Sequence, residues 1–293
     1  MKKITLILLA LTYGCSNSNT SDLPTPSKSI PLSQEFKNYW FDGTAEISSY
    51  TLNQSRYEAP RAGNAILIYV TEDFLKETQV KADIKSEASQ MVLKLNRTKN
   101  FLTGIYPYSI MTSVFSRLGQ SRPLVKTTTS IQEWCGQAYL QLNRRKGLEI
   151  KSHSYFEGEA DQDLNFKDAL SEEELWVWIR TQPQLLPLGT LDLLPAFEFL
   201  RLKHQPIKLY SAIASMEQKQ AHNVYHVIYP ELNRKVSISF ERTFPFKILG
   251  WEEHDLKEPD QVTQAKINKT VKLPYWKLNK LGDERFRDSL GLN

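Results

Sequence analysis

The stretch 152–163 reads S-H-S-Y-F-E-G-E-A-D-Q-D and places His153, Tyr155, Glu157, Glu159, Asp161 and Asp163 at alternate positions. On an unbroken strand these six side chains leave one face, with same-face neighbours ~6.6–7 Å apart, twice the rise per residue. Carboxylates that close repel unless water, a cation or a basic partner compensates. Two chemistries would use them. A hard divalent cation such as calcium gathers carboxylate oxygens, and zinc takes histidine with carboxylates, so His153, Glu157, Glu159, Asp161 and Asp163 are the candidate metal ligands. A polar small molecule would be held by His153, Tyr155, Glu157 and Glu159, with His204 of the basic stretch R-L-K-H-Q-P (201–206) answering from across the sheet. The competing reading is simpler: the strand ends near Phe156, Gly158 turns the chain, and the acids are solvated on a loop. The run has neither EF-hand spacing nor an H-E-x-x-H pair. Acid/base catalysis needs two carboxylates of unlike environment. No catalytic residue is therefore assigned.

Other chemical signals are sparse. Cys135, in Q-E-W-C-G-Q (132–137), could pair with a histidine as a nucleophile, but no cysteine-enzyme signature surrounds it. An alternating strand packs a small apolar residue there, so the expectation is a buried core cysteine. His222 and His226 have the i, i+4 spacing of a helical metal pair, yet their surroundings read as strand, which separates them by ~13 Å. There is no G-x-x-x-x-G-K-S/T, no G-x-G-x-x-G and no G-x-S-x-G, which removes the usual nucleotide cradles and the α/β-hydrolase elbow. No cofactor is expected, the alternative being a divalent cation at 153–163.

The elements that must position these residues are mostly strands. Past residue 32, Ser33 is a natural N-cap for a short helix with Phe36, Tyr39 and Trp40 on one face. The period then changes to two: 44–50, 64–71, 90–96, 103–115, 125–142 and 148–156 read as strands joined by Gly, Asn and basic turns. Ser171-Glu-Glu-Glu174 is a capping box for a helix with Leu175, Trp178 and Ile179 on its apolar face and Pro183 at its exit. The stretch 191–202 is ambiguous between helix and strand. Strand signals return at 207–213, in a hairpin over 224–240 about Pro230–Arg234, and at 246–252; a short helix is expected over 283–290. The fold class is mainly β: a curved antiparallel sheet, incomplete barrel or sandwich with a few short helices, closed by the 171–181 helix. One domain is expected over 32–293, with a possible sub-boundary near 183–189.

The N-terminus speaks to location. Met1-Lys-Lys is basic, Ile4 to Leu11 is apolar, and Thr12-Tyr-Gly-Cys15 ends the segment. So short a run cannot span ~30 Å of hydrocarbon, and it reads as a signal peptide over 1–14. Glycine followed by cysteine resembles a bacterial lipobox, which makes Cys15 the expected lipidation site. The polar, Pro-containing stretch that follows, within 15–31, suits a flexible tether. Cys135 is the one other cysteine, so an intramolecular disulfide is not expected. The partner implied is a lipid bilayer held through acylated Cys15, each buried methylene contributing ~0.8 kcal/mol. The 293 residues carry a formal +4, and losing Lys2 and Lys3 with the leader leaves about +2. No nucleic acid is expected from so weak a charge.

The runs Y-W-F-D-G-T-A-E-I-S-S-Y (39–50), I-Y-V-T-E-D-F-L (68–75), T-G-I-Y-P-Y-S-I-M (103–111), S-I-Q-E-W-C-G-Q (130–137), S-H-S-Y-F-E-G-E-A-D-Q-D (152–163) and Y-P-E-L-N-R (229–234) resemble a family of uncharacterised bacterial lipoproteins. Its members often carry the label "septum formation inhibitor Maf". True Maf nucleotide pyrophosphatases are shorter α/β proteins with an S-x-S-P-R-R-like motif. This chain lacks that motif, so no residue role carries over. The resemblance implies a cell-envelope lipoprotein of unassigned role. Four functions stand as expectations. The first is a binding or carrier module with a β-lined cavity for an apolar or glycan-like ligand. The others are an envelope hydrolase or metal protein using His153 and the acids of 157–163, a partner-docking lipoprotein, and last a Maf-type pyrophosphatase.

Overall fold

The structure, a computed structural model, describes residues 29–292. The expected leader, Cys15 and most of the tether lie outside the described residues. From Ala45 the chain makes an antiparallel meander of eight strands. These are β1 (Ala45–Arg56), β2 (Ala59–Leu75), β3 (Ser89–Thr103), β4 (Tyr106–Arg117), β5 (Leu124–Glu133), β6 (Gly136–Arg144), β7 (Leu148–Ser154) and β8 (Gln162–Phe166). After the two-residue β9 (Leu170–Ser171), a second meander follows: β10 (Gly189–Leu194), β11 (Tyr210–Gln218), β12 (His222–Tyr229), β13 (Arg234–Glu241), β14 (Ile248–Asp255) and β15 (Val262–Leu273). β15 pairs with β1, Ala45 opposite Leu273, so both meanders fuse into one 15-stranded sheet ordered 8-7-6-5-4-3-2-1-15-14-13-12-11-10-9. Every pairing is antiparallel except the short β9–β10 contact.

The outermost strands, β8 and β9, are separated in the chain by residues 167–169 alone. An extended link of that length spans no more than about 14 Å, so the sheet must bend round until its edges nearly meet. This is the incomplete barrel expected from the alternating pattern.

A helix fills it. α2 (Glu172–Thr181) has the anticipated capping box: the Ser171 amide donates to Glu174 Oε1 (2.9 Å), and the Glu173 amide donates to Ser171 Oγ (3.4 Å). Its placement corrects the expectation of a closing helix with one apolar face, Leu175, Trp178 and Ile179. Every residue from Glu172 to Arg180 is buried. The side chains reach β1 (Arg180 to Glu46), β3 (Glu173 to Arg97), β6 (Glu174 to Arg144) and β13 (Glu172 to Arg234). Strands so far apart in the sheet can touch one helix only if they surround it. The reason is in L-W-V-W-I (175–179), which is apolar on all sides and so has no face to offer water.

The stretch 191–202 divides into β10 and a second internal helix, α3 (Phe197–Leu202), all of whose residues are buried. At one end of the barrel, α1 (Gln34–Trp40), capped by Ser33 as expected, sets Trp40 against Tyr69 and Tyr39 against Phe244. The C-terminal segment Asp283–Leu290 is a 3-10 helix rather than an α-helix, and it lies outside the sheet. Leu290 and Leu292 pack on Ala45, Ile47 and Val70, and Ser49 Oγ donates to the Leu290 carbonyl (2.5 Å). That cover buries both faces of β1 over 45–50, where strict alternation anticipates one. Among the described residues no helix is long and apolar enough to cross a membrane.

Candidate functional site: a charged cavity inside the sheet

At the barrel end opposite α1, α2 and α3 do not fill the interior. A cavity of about 180 Å³ remains. Its mouth lies between the β1–β2 turn (Tyr57), the residues after α3 (Lys203, Gln205), the β12–β13 turn (Asn233) and the β14–β15 turn (Asp255, Gln261). Its walls come from β3 (Arg97, Lys99), α2 (Glu172, Trp176), α3 (Glu198, Phe199), β13 (Arg234, Val236) and β14 (Trp251, Glu253).

The two-residue period of β3 carries Leu93, Leu95, Arg97, Lys99 and Phe101 to the inner face, so two cations stand in an apolar row. Buried charges persist only when paired and hydrogen-bonded, and the internal helices supply the partners. Arg97 Nη2 donates to both oxygens of Glu173 (3.1 and 2.9 Å), and its guanidinium lies over the Trp176 ring. Lys99 Nζ donates to Glu198 (2.5 Å), which also stands 3.7 Å from Arg97. Arg234 forks onto Glu172 (2.5 and 2.8 Å) and donates to Glu253 (2.5 Å). Glu172 accepts further from the Tyr229 hydroxyl (2.8 Å) and the Ala196 amide (3.2 Å).

Burial works against ionisation of Glu172, Glu173 and Glu198, and their partners decide the outcome. For Glu172, Arg234 overcomes burial and holds the carboxyl below its ordinary value; for Glu198, Lys99 and then Arg97 do the same. For Glu173 burial wins: Arg97 opposes it only in part, Glu172 and Glu198 add repulsion, and the carboxyl rises to about 7. The site is a wall of fixed donors and acceptors, nearly charge-balanced, between the rings of Trp176, Trp251 and Phe199. In a low-dielectric interior such groups act strongly on whatever enters.

None of these residues was singled out from the sequence. The available signals were the basic pair on the apolar parity of L-K-L-N-R-T-K-N-F (93–101), and three consecutive glutamates opening an all-apolar helix.

The residues that were singled out lie elsewhere. β7 ends at Ser154, and 155–161 form a turn to β8 with Ala160 at φ +41°. The six alternating residues therefore do not share a face. His153 is exposed on the outer face, 3.3 Å from Asp161, and Lys151 meets Asp163 at 3.4 Å. Glu157 and Tyr155 are exposed. Glu159 turns the other way, toward Arg201 (3.2 Å) and His204 Nδ1 (2.8 Å). The contact anticipated between His204 and the acidic run thus forms, through Glu159. Among the described residues no group of three or more His, Cys, Asp or Glu side chains is placed to hold a metal ion.

Cys135 is a correction. It is exposed in the β5–β6 turn, not packed in the core. The pair Glu133–Gly136 closes a two-residue turn, which breaks the alternation that would have carried the thiol inward. The Glu133 carboxylate accepts from the Cys135 amide (2.6 Å) and pushes the thiol pKa up, the opposite of what activates a nucleophile.

No family model and no curated protein matches the chain. Among solved structures, it is similar to a β-barrel-like protein of the domain of unknown function DUF1849 from Brucella abortus, with a TM-score of 0.48 and 8% sequence identity over 78% of this chain and 97% of that one.

Proposed function

We propose that the protein is a cell-envelope binding module, anchored through acylated Cys15, whose internal cavity takes a small, polyhydroxylated, glycan-like ligand. The observation that carries this reading is the cavity wall: Arg97, Lys99 and Arg234 beside Glu172, Glu198 and Glu253, with Trp176, Trp251 and Phe199 between them. A hydrocarbon there would cover these charged groups and return nothing for the water it removed, so the apolar half of the earlier expectation is set aside. Hydroxyl groups, which donate and accept, suit a wall that offers both, and the rings suit the apolar faces of a sugar. The volume lies below the about 300–1,000 Å³ of drug-sized pockets. That size favours a monosaccharide-scale molecule or one terminal unit of something larger. The basic start, short apolar run and Gly14-Cys15 junction support the anchor.

The test is calorimetric titration of the full chain with a panel of mono- and disaccharides, beside Val236→Phe, which fills the cavity from β13. At least one sugar should bind the wild type and bind Val236→Phe at least tenfold more weakly. If the whole panel is silent and native mass spectrometry finds no co-purified small molecule, the reading is wrong.

A further inference from the structure

The outer face of the sheet carries a second concavity, independent of the internal one. It is a shallow, open groove of about 780 Å³ across β5, β6 and β7. The register arranges its floor in two cross-strand rows. Ser130 lies opposite Tyr139, which lies opposite His153. Gln132 lies opposite Gln137, whose carbonyl accepts from the Tyr155 amide (3.4 Å). Tyr155, one residue past the end of β7, thus stands diagonally across from Tyr139 on β6, at about 7–8 Å between their backbones.

Both rings face water: Tyr155 is 73% exposed and Tyr139 41%. Single exposed aromatics are ordinary, but Tyr155 is seated. A Cβ on Gly136 would come within 2.7 Å of Tyr155 Cδ1 and within 3.0 Å of Cγ, so its ring lies directly on bare glycine backbone. Phe156 also meets it edge-on, at 5.7 Å between centroids. The Tyr139 hydroxyl is tied to Gln141 Oε1 (2.9 Å). An aromatic ring fixed in place while left open to solvent is arranged as a platform, because its ordering cost is met before anything binds.

We infer that this groove is a binding site for an extended, neutral oligosaccharide, with Tyr155 and Tyr139 stacking on successive sugar faces. The chemistry of the lining selects the occupant. Two rings alternate with amides (Gln132, Gln137), hydroxyls (Ser130, Ser154) and two carboxylates (Glu133, Asp161), and Ala138 is the one aliphatic side chain among the lining residues. That is too little apolar surface for an acyl chain or an apolar protein face. With two carboxylates and one histidine, the groove has no positive field to draw an anionic chain. Its openness suits a chain lying along it. Three of the residues marked in the sequence, His153, Tyr155 and Asp161, belong here.

The probes are chitohexaose and cellohexaose, titrated into the full chain with detection by calorimetry. At least one should bind. Tyr155→Ala and Tyr139→Ala should each weaken it tenfold or more. Gly136→Ala should do the same while leaving both tyrosines in the sequence, because it lifts the Tyr155 ring from its seat. Val236→Phe, which blocks the internal cavity, should leave this affinity unchanged, so the two sites fail or succeed separately. Should Gly136→Ala not fold, the two tyrosine variants decide. The inference is overturned if neither hexasaccharide binds at millimolar concentration, or if binding survives both tyrosine substitutions. It is also overturned if the wild type self-associates through this face and Tyr155→Ala renders it monomeric, for then the occupant is a second copy.

Discussion

Glu172→Ala should destabilise the protein by about 3–5 kcal/mol, the usual cost of leaving a buried charge without its partner. Glu172 is fully enclosed, and four donors converge on it: both terminal nitrogens of Arg234, the Tyr229 hydroxyl and the Ala196 amide. Removing its carboxylate strands Arg234 on Glu253 alone and leaves Tyr229 and Ala196 without an acceptor. The double variant Glu172→Leu/Arg234→Met should recover much of the loss, because an apolar pair of similar volume requires no charge to be desolvated. Urea midpoints of Glu172→Leu, Arg234→Met and the double variant form the cycle. A double variant as unstable as Glu172→Ala would contradict the attribution of the loss to the stranded Arg234 charge.

A second large effect concerns pH. The Glu173 carboxyl stands at about 7 in the folded protein against an ordinary 4.5. Between those values the folded state binds more protons than the unfolded, so stability must fall as pH rises through that window. The contribution is full below about 4.5, where both states are protonated, and is lost by about 7. At about 1.36 kcal/mol per unit the decline is on the order of 3 kcal/mol. Glu174, also raised by burial, adds in the same direction. Glu46, Glu172 and Glu198 act oppositely: partners hold their folded pKa values below the ordinary one, so their contributions are present above about 4.5 and lost as pH falls through the folded values. The sum is a stability maximum near the ordinary carboxylate range and a slope downward toward neutrality. Glu173→Gln should flatten that slope. Denaturation midpoints measured from about pH 5 to 8 check it, and parallel slopes in wild type and variant would contradict it.

Local patterns revealed the strands and hid the enclosure. Period-two alternation, the turn at Pro230–Arg234 and the Ser171 capping box each report on a few neighbouring residues, and each corresponds to an observed element. Helix α2 was legible as a helix, but whether its surroundings are water or sheet is decided by pairing between strands. The ion pairs that lock it join residues far apart in the chain, 134 positions for Glu46 and Arg180 and 62 for Glu172 and Arg234. No local period encodes such a partner. β15 carries no strong strand signal in the sequence, for a related reason. Its inward row, Thr263, Ala265 and Ile267, is weakly apolar, and a register shift against β1 interrupts the alternation. The acidic run attracted attention because its charges are consecutive on one strand parity. The cavity did not, because its charges are spread over α2, α3, β3, β13 and β14 and become a cluster only when the sheet closes around the helices.

Hydrogen exchange followed along the full chain tests that closure most directly. If α2 lies inside the sheet, its amides from Leu175 to Arg180 open only with the whole fold and exchange in the slowest class, together with those of β3. Exchange of the α2 amides on the timescale of the exposed 155–161 turn would place the helix on the surface. There would then be no internal cavity.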